Sequence, residues 1–259
     1  QEVVMAAVEQ SGLALEFASD AMKNNHEVVM AAVEKNGASL QYASDDKKND
    51  KGIVMTAMKQ SGWVLKCVSD ELKNDHEVVM AAVKIAGSLL VHASDELKNN
   101  QEVVMAAIAQ SRGAFQHASD ELKGNFDIVM AAVKTDGPAF RALIYASDEM
   151  KGNYDIVMAA VTKYGKALEY ASDEIKGNFA IVMAAVKQTG WALQYASDQL
   201  KGNFDVVLLA VKKRGEVLKY ASNELKGNFD ICMAALEENV NVSVFKSVNH
   251  REFVIALAQ

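Results

Sequence analysis

The sequence predicts an all-α fold, an α-solenoid of ten repeats of about 25 residues followed by a truncated eleventh. Three observations predict it. The hexapeptide Val3-Val4-Met5-Ala6-Ala7-Val8 returns along the chain, with anchors at Met5, Met30, Met55, Met80, Met105, Met130, Met158, Met183, Leu208 and Met233. The steps are 25 residues, except for one of 28 between Met130 and Met158. Within each copy, positions 3, 4, 7 and 8 are aliphatic or Ala, as in Ile128, Val129, Ala132 and Val133, the pattern of one helical face. No linker separates the copies, and cap signals recur between them at constant offsets.

Each repeat opens with a helix A. Asn25, Asp50, Asp75, Asn100, Asn125, Asn153, Asn178, Asn203 and Asn228 stand where an N-cap belongs, and an acid usually follows two positions on, favourable for the helix dipole. Position 6 is nearly always Ala, so this helix is small or apolar almost all round and must be covered on several sides. Its end coincides with a glycine (Gly12, Gly37, Gly62, Gly87, Gly137, Gly165, Gly190, Gly215), which reads as a left-handed C-cap. The fifth repeat departs, with Arg112 there and Gly113 one later.

A short helix B follows, such as Ala167-Leu168-Glu169-Tyr170-Ala171, long enough for barely two turns. A closing turn comes last: in Ser119-Asp120-Glu121-Leu122-Lys123 the serine caps a helical turn with acids at its start. Lys123, Lys151 and their equivalents are expected to pair with the Asp three residues earlier, at little gain in stability. Helices of about 11 and about six residues are marginal alone, so each repeat needs its neighbours to complete a core. The truncated repeat begins near Glu252 with Phe253-Val254-Ile255-Ala256-Leu257.

Glu27-Val28-Val29-Met30-Ala31-Ala32-Val33, then Gly37, then Leu40-Gln41-Tyr42-Ala43-Ser44, with Ser94-Asp95-Glu96-Leu97-Lys98-Asn99-Asn100 in another repeat, resembles a tandem repeat family. That family is classed as a domain of unknown function and is abundant in protist and algal genomes. The resemblance covers essentially the whole chain, in order and spacing. It implies a helical repeat fold and brings no catalytic residues, because the family has no established activity.

Composition narrows the function classes. The chain has 259 residues, 50% hydrophobic and 24% charged, which suits a packed core rather than a disordered tail. Its net charge of −7 argues against nucleic acid or an anionic membrane surface as partner. No apolar run exceeds eight residues, against about 20 for a spanning helix, so no transmembrane segment is expected. Docking on a subunit of a membrane complex stays open. Two cysteines, at packing positions Cys67 and Cys232, read as buried thiols and favour an intracellular over a secreted setting without naming a compartment. The chain opens on Gln1 inside the repeat pattern, which suggests an excerpt, a processed product or incompletely known sequence. Without polar caps, the isolated ends are expected to fray or associate.

Repeats differ most at a subtype switch. Residues 1–125 hold repeats one to five, which begin with Gln1, His26, Lys51, His76 and Gln101; residues 126–259 hold repeats six to ten and the partial one, beginning with Phe126, Tyr154, Phe179, Phe204 and Phe229 after Gly-Asn. The two segments are read as one continuous superhelix. Aromatics number 4 in the first segment and 14 in the second, and formal charge moves from −6 to −1. The favoured reading of the Phe/Tyr row is a hydrophobic staple packed on the first turn. The alternative is an aromatic strip open to a partner. Trp63 and Trp191 share one repeat position; packing on the next helix A is favoured there, with an interface anchor as the alternative. Phe253 and its apolar neighbours are expected to pack on further chain or on a partner. The sixth repeat carries the insertion Gly137-Pro138-Ala139-Phe140-Arg141-Ala142-Leu143-Ile144-Tyr145, expected to lengthen helix B by three residues.

Catalytic signatures are absent. No phosphate loop, dinucleotide fingerprint, zinc-protease helix or nucleophile elbow occurs, and His92 and His117, equivalent positions of adjacent repeats, lack acid or cysteine partners in register for a metal. No cofactor is expected. Lys212-Lys213-Arg214 is too short for a nucleic-acid site. The sequence therefore supports a non-enzymatic scaffold, linker or protein-binding subunit of a larger assembly, with one or more proteins as partners. The alternatives are a targeting or substrate-recognition region of a larger enzyme whose catalytic domain lies outside these residues, and a concave surface that binds a peptide or small ligand.

Overall fold

The computed structural model describes residues 1–135 and 140–239, and the chain divides into two compact units, Gln1–Lys123 and Gly124–Gln259. Among the described residues all regular structure is helical, with no strand. The truncated eleventh repeat, Phe253 with it, and residues 136–139 of the insertion lie outside the described residues.

In the first unit, helix A spans Glu2–Gln10, His26–Lys35, Lys51–Gln60, His76–Ile85 and Gln101–Gln110; in the second it spans Phe126–Lys134, Tyr154–Lys163, Phe179–Gln188, Phe204–Lys213 and Phe229–Asn239. The expected caps are in place. Asn25 Oδ1 accepts from Val28 N at 3.1 Å, and Asp75 Oδ1 accepts from both Glu77 N and Val78 N at 3.0 Å. Each such bond satisfies an N–H that has no partner within the helix. Val28, Val29, Ala32 and Val33 are fully buried, as are Ile181, Val182, Ala185 and Val186 six repeats on. The covering comes from four directions: helix A of the second repeat touches helix A before and after it, and segment B of its own and the preceding repeat. Burying each Val or Ile completely is worth about 1.5–3 kcal/mol, so the stack, rather than any one repeat, carries the stability.

Segment B is a six-residue 3₁₀ helix in eight repeats, for example Gly37–Tyr42 and Gly165–Tyr170. At three residues per turn, glycine, leucine and the following alanine fall in one row. Gly165, Leu168 and Ala171 are all buried in this way, and Ala171 N closes the segment on Leu168 O at 3.2 Å. The sixth repeat differs. There Phe140–Tyr145 is α-helical, and Ala146 N reaches four residues back to Ala142 O at 3.0 Å. The described part of its helix B is six residues long, and residues 136–139 before it lie outside the described residues.

The glycines have a different role from the C-cap expected of them. The residue before each described one is extended, as Asn36 is at φ −153° and ψ 109°, and the glycine is the first residue of the 3₁₀ segment; Gly137 lies outside the described residues. Its small size is what the fold uses. A Cβ at Gly190 would stand 2.6 Å from the carbonyl oxygen of Ala210, and one at Gly37 would collide with that of Ala57. Segment B thus lies directly against helix A of the next repeat, at a distance only glycine permits.

Closing turns form a second seam. In each unit the Ser N–H that starts a turn donates to the lysine carbonyl ending the previous one: Ser69 to Lys48 at 3.2 Å, Ser94 to Lys73 at 2.9 Å, Ser172 to Lys151 at 3.0 Å, Ser197 to Lys176 at 2.9 Å. The serine hydroxyl caps its own turn, as Ser94 Oγ does for Leu97 N at 3.2 Å. The expected Lys–Asp pairs are formed on the outside, Lys123 with Asp120 and Lys151 with Asp148 at 3.2 Å each.

Candidate interaction surface

The first residue of helix A separates the two subtypes physically as well as chemically. In the first unit it is polar, and in the first four repeats it reaches the next repeat. Gln1 Nε2 donates to Glu27 Oε2 at 3.3 Å, His26 Nδ1 lies 3.3 Å from Asp50, His76 Nε2 lies 3.4 Å from Glu102, and Lys51 Nζ meets Asp75 at 2.9 Å and Glu77 at 2.8 Å. Burial works against the Asp75 carboxylate, but hydrogen bonds from Lys51 and from the Val78 and Glu77 amides outweigh it and hold its pKa below the ordinary value.

In the second unit the same position is aromatic and open. Phe126, Tyr154, Phe179, Phe204 and Phe229 are 39–47% exposed. A staple packed on the first turn would be largely covered, so part of each ring is held while the rest faces solvent. Because successive A helices pack side by side, the five rings make a strip along their N-terminal ends. Asp127, Asp155, Asp205 and Asp230, one residue further on, are exposed beside it, with Ala180 at that place in the eighth repeat.

A second subtype difference accompanies the first. In the first unit Asn24, Asn49, Asn74 and Asn99 follow the closing turn, and each accepts a hydrogen bond from the serine of the next repeat: Ser44 Oγ to Asn24 Oδ1 at 2.7 Å, and Ser69 to Asn49, Ser94 to Asn74 and Ser119 to Asn99 at 2.5 Å. Three of them also donate to a glutamate of the next repeat, Asn49 to Glu71 and Asn74 to Glu96 at 2.9 Å, and Asn99 to Glu121 at 2.8 Å. Gly152, Gly177, Gly202 and Gly227 occupy this place in the second unit, which has no such ladder. Sequence reading missed it. Its signal was the joint change of Asn to Gly, 20 residues before a Ser and 22 before a Glu.

The tryptophans lie elsewhere. Trp191 is the second residue of segment B, beyond the far end of the helix that Phe179 starts, and ten helical residues separate them by about 15 Å. Partly buried, it meets Tyr220 edge-on at 6.2 Å between centroids, with Lys219 Nζ 5.4 Å above its ring. Nearby, Tyr195 is pushed up to about 12 by burial and by its hydrogen bond with Glu169. Trp63, expected to pack on the next helix A, is instead 55% exposed, edge-on to His92 at 6.3 Å. It borders a shallow hollow with Gln41, Lys66 and Cys67. The predicted residues therefore fall into separate patches rather than one site. Cys67 is half-buried, less enclosed than expected, because it stands at the same outer edge as the tyrosines, whereas Cys232 is buried and its thiol pKa is raised accordingly.

His92 and His117 are also half-buried, and desolvation followed by the nearby lysines holds both pKa values below the ordinary one. Among the described residues no three His, Cys, Asp or Glu side chains converge as metal ligands would. No described helix is long and apolar enough to cross a membrane.

No curated protein and no solved structure shows a significant match to this chain. A single family does match, through eight overlapping segments at residues 1–46, 50–98, 77–123, 100–151, 125–176, 153–201, 178–226 and 203–251. These segments follow the helical repeats from end to end, and the chain belongs to the family described as a domain of unknown function, DUF4116.

Proposed function

We propose that the chain is a non-enzymatic repeat scaffold that binds protein partners, with the aromatic strip of the second compact unit as its docking face. The observation that carries this reading is the exposure of five aromatic rings at one register, where four repeats of the first unit place polar residues engaged with the next repeat. Exposed aromatic rings leave apolar surface in water, an arrangement that suits the anchors of a protein interface.

The test compares the native chain with a Phe179→Gln/Phe204→His variant, which carries the residue types found at that register in the first unit. Affinity isolation with lysine cross-linking should give partner cross-links at Lys176, Lys201 and Lys226 that disappear in the variant. Cross-links that persist unchanged in a variant with native helicity would refute the assignment of the docking face.

A further inference from the structure

Resting on that docking reading, we infer that the aromatic strip takes a basic, proline-rich segment of a partner protein in the polyproline II conformation. The first argument is spacing. Helix A copies Phe126–Lys134, Tyr154–Lys163, Phe179–Gln188, Phe204–Lys213 and Phe229–Asn239 pack in succession, which sets neighbouring rings roughly 8–10 Å apart. An extended strand presents one face every second residue, about 6.6 Å, and therefore falls out of step. An α-helix returns to the same face after seven residues, about 10.5 Å, beyond that range. Polyproline II returns after three residues, about 9.3 Å, within it. Proline rings at every third position can therefore meet every aromatic ring, at low ordering cost because the segment is already extended.

The second argument is charge. Asp127, Asp155, Asp205 and Asp230 stand exposed beside the strip, and among the described residues none of them makes an ion pair. Lysines of the closing turns do not neutralise them: Lys151, Lys176 and Lys201 are held by Asp148, Asp173 and Asp198. Basic residues between the prolines would face this row, with the weakest demand at the middle repeat, where Ala180 replaces the acid. The first unit offers neither feature, since Gln1, His26, Lys51 and His76 already engage the next repeat.

The experiment titrates the full chain against fluorescent 15-residue peptides: five Pro-Pro-Arg triplets, five Gly-Ser-Arg triplets of equal charge, five Pro-Pro-Glu triplets, and a basic amphipathic helix with leucine every seventh residue. The Pro-Pro-Arg peptide should bind at least ten-fold tighter than the other three. Phe179→Gln/Phe204→His should weaken it at least ten-fold and Asp205→Asn/Asp230→Asn about three-fold, with circular dichroism unchanged in both. Equal binding of the Pro-Pro-Arg and Gly-Ser-Arg peptides would overturn the inference. Preference for the amphipathic helix, lost in the Phe variant, would overturn the polyproline assignment while leaving the docking face intact. Peptide binding indifferent to the Phe substitutions would overturn both.

Discussion

Gly202→Asn should stabilise the second unit by restoring the ladder that the first unit possesses. Gly202 has φ −96° and ψ 1°, within a few degrees of Asn74 at −100° and 0° and Asn99 at −98° and 4°. Its conformation therefore needs no glycine. A Cβ there would lie 3.5 Å from Gln199 O and 3.7 Å from both Asp198 O and Ser222 Oγ, ordinary contact distances. The side chain would find Ser222 and Glu224 at the offsets that Ser94 and Glu96 hold from Asn74. Removing glycine from a compatible site is worth about 0.4–1 kcal/mol through the unfolded chain. Exposed hydrogen bonds add little, so the total should be about 1 kcal/mol, and the melting temperature of a chain this size should rise by about 2–4 °C. Gly202→Ala isolates the backbone contribution, and the asparagine variant should exceed it in thermal and urea unfolding. A Gly202→Asn protein less stable than native, or no more stable than Gly202→Ala, would refute the idea that the ladder couples neighbouring repeats.

Three further outcomes are expected. Gly87→Ala forces a Cβ into the Ala107 carbonyl and should cost about 1–3 kcal/mol in urea unfolding, whereas Gly113→Ala, whose Cβ meets only Ser111 Oγ at 3.6 Å, should change stability by under about 0.5 kcal/mol. Ser39 is fully buried and its hydroxyl has no hydrogen-bond partner, in a row where other repeats carry Val64, Leu89 or Ala167; Ser39→Ala should therefore raise stability by about 1 kcal/mol, and a loss would show that the hydroxyl is satisfied in solution. His92 and His117 have folded pKa values lowered by burial, so protons favour the unfolded chain. Their contribution is complete above the unfolded value of about 6.5 and is lost as pH falls through the folded values. Melting curves between pH 7.5 and 5 should accordingly show a smaller acid loss in His92→Tyr/His117→Tyr than in the native chain; parallel losses would remove these histidines from the account.

The repeat boundaries and caps were legible because they depend on local chemistry. An asparagine or aspartate that accepts from an amide two or three residues ahead, like Asn178 with Ala180 and Ile181, needs nothing beyond its own helix. Burial of Ile181, Val182, Ala185 and Val186 was legible from periodicity for the same reason. The glycines misled because two explanations share one residue type: a left-handed cap and a close approach both demand glycine, and only the position of Ala210 across the seam separates them. Segment B was misjudged as an ordinary helix because six residues carry too little periodicity to distinguish 3.0 from 3.6 residues per turn. The Phe/Tyr row was read first as a staple for a related reason, since a staple and a docking strip use the same ring at the same position.

By itself the sequence determined the all-helical class, the 25-residue period, the start of nine helices A and the aliphatic positions that fill the core. These follow from interactions within one repeat or from patterns that the tenfold repetition makes unambiguous. Tertiary structure decided what neighbouring repeats do to each other: the carbonyl that excludes a Cβ at Gly37, the amide of Ser94 reaching Lys73, the Asn–Ser–Glu ladder of the first unit, and the open faces of Phe179 and Phe204. The physical reason is that such contacts depend on the offset between stacked helices. That offset is set by the sum of many side-chain volumes and cannot be read from any single stretch of chain.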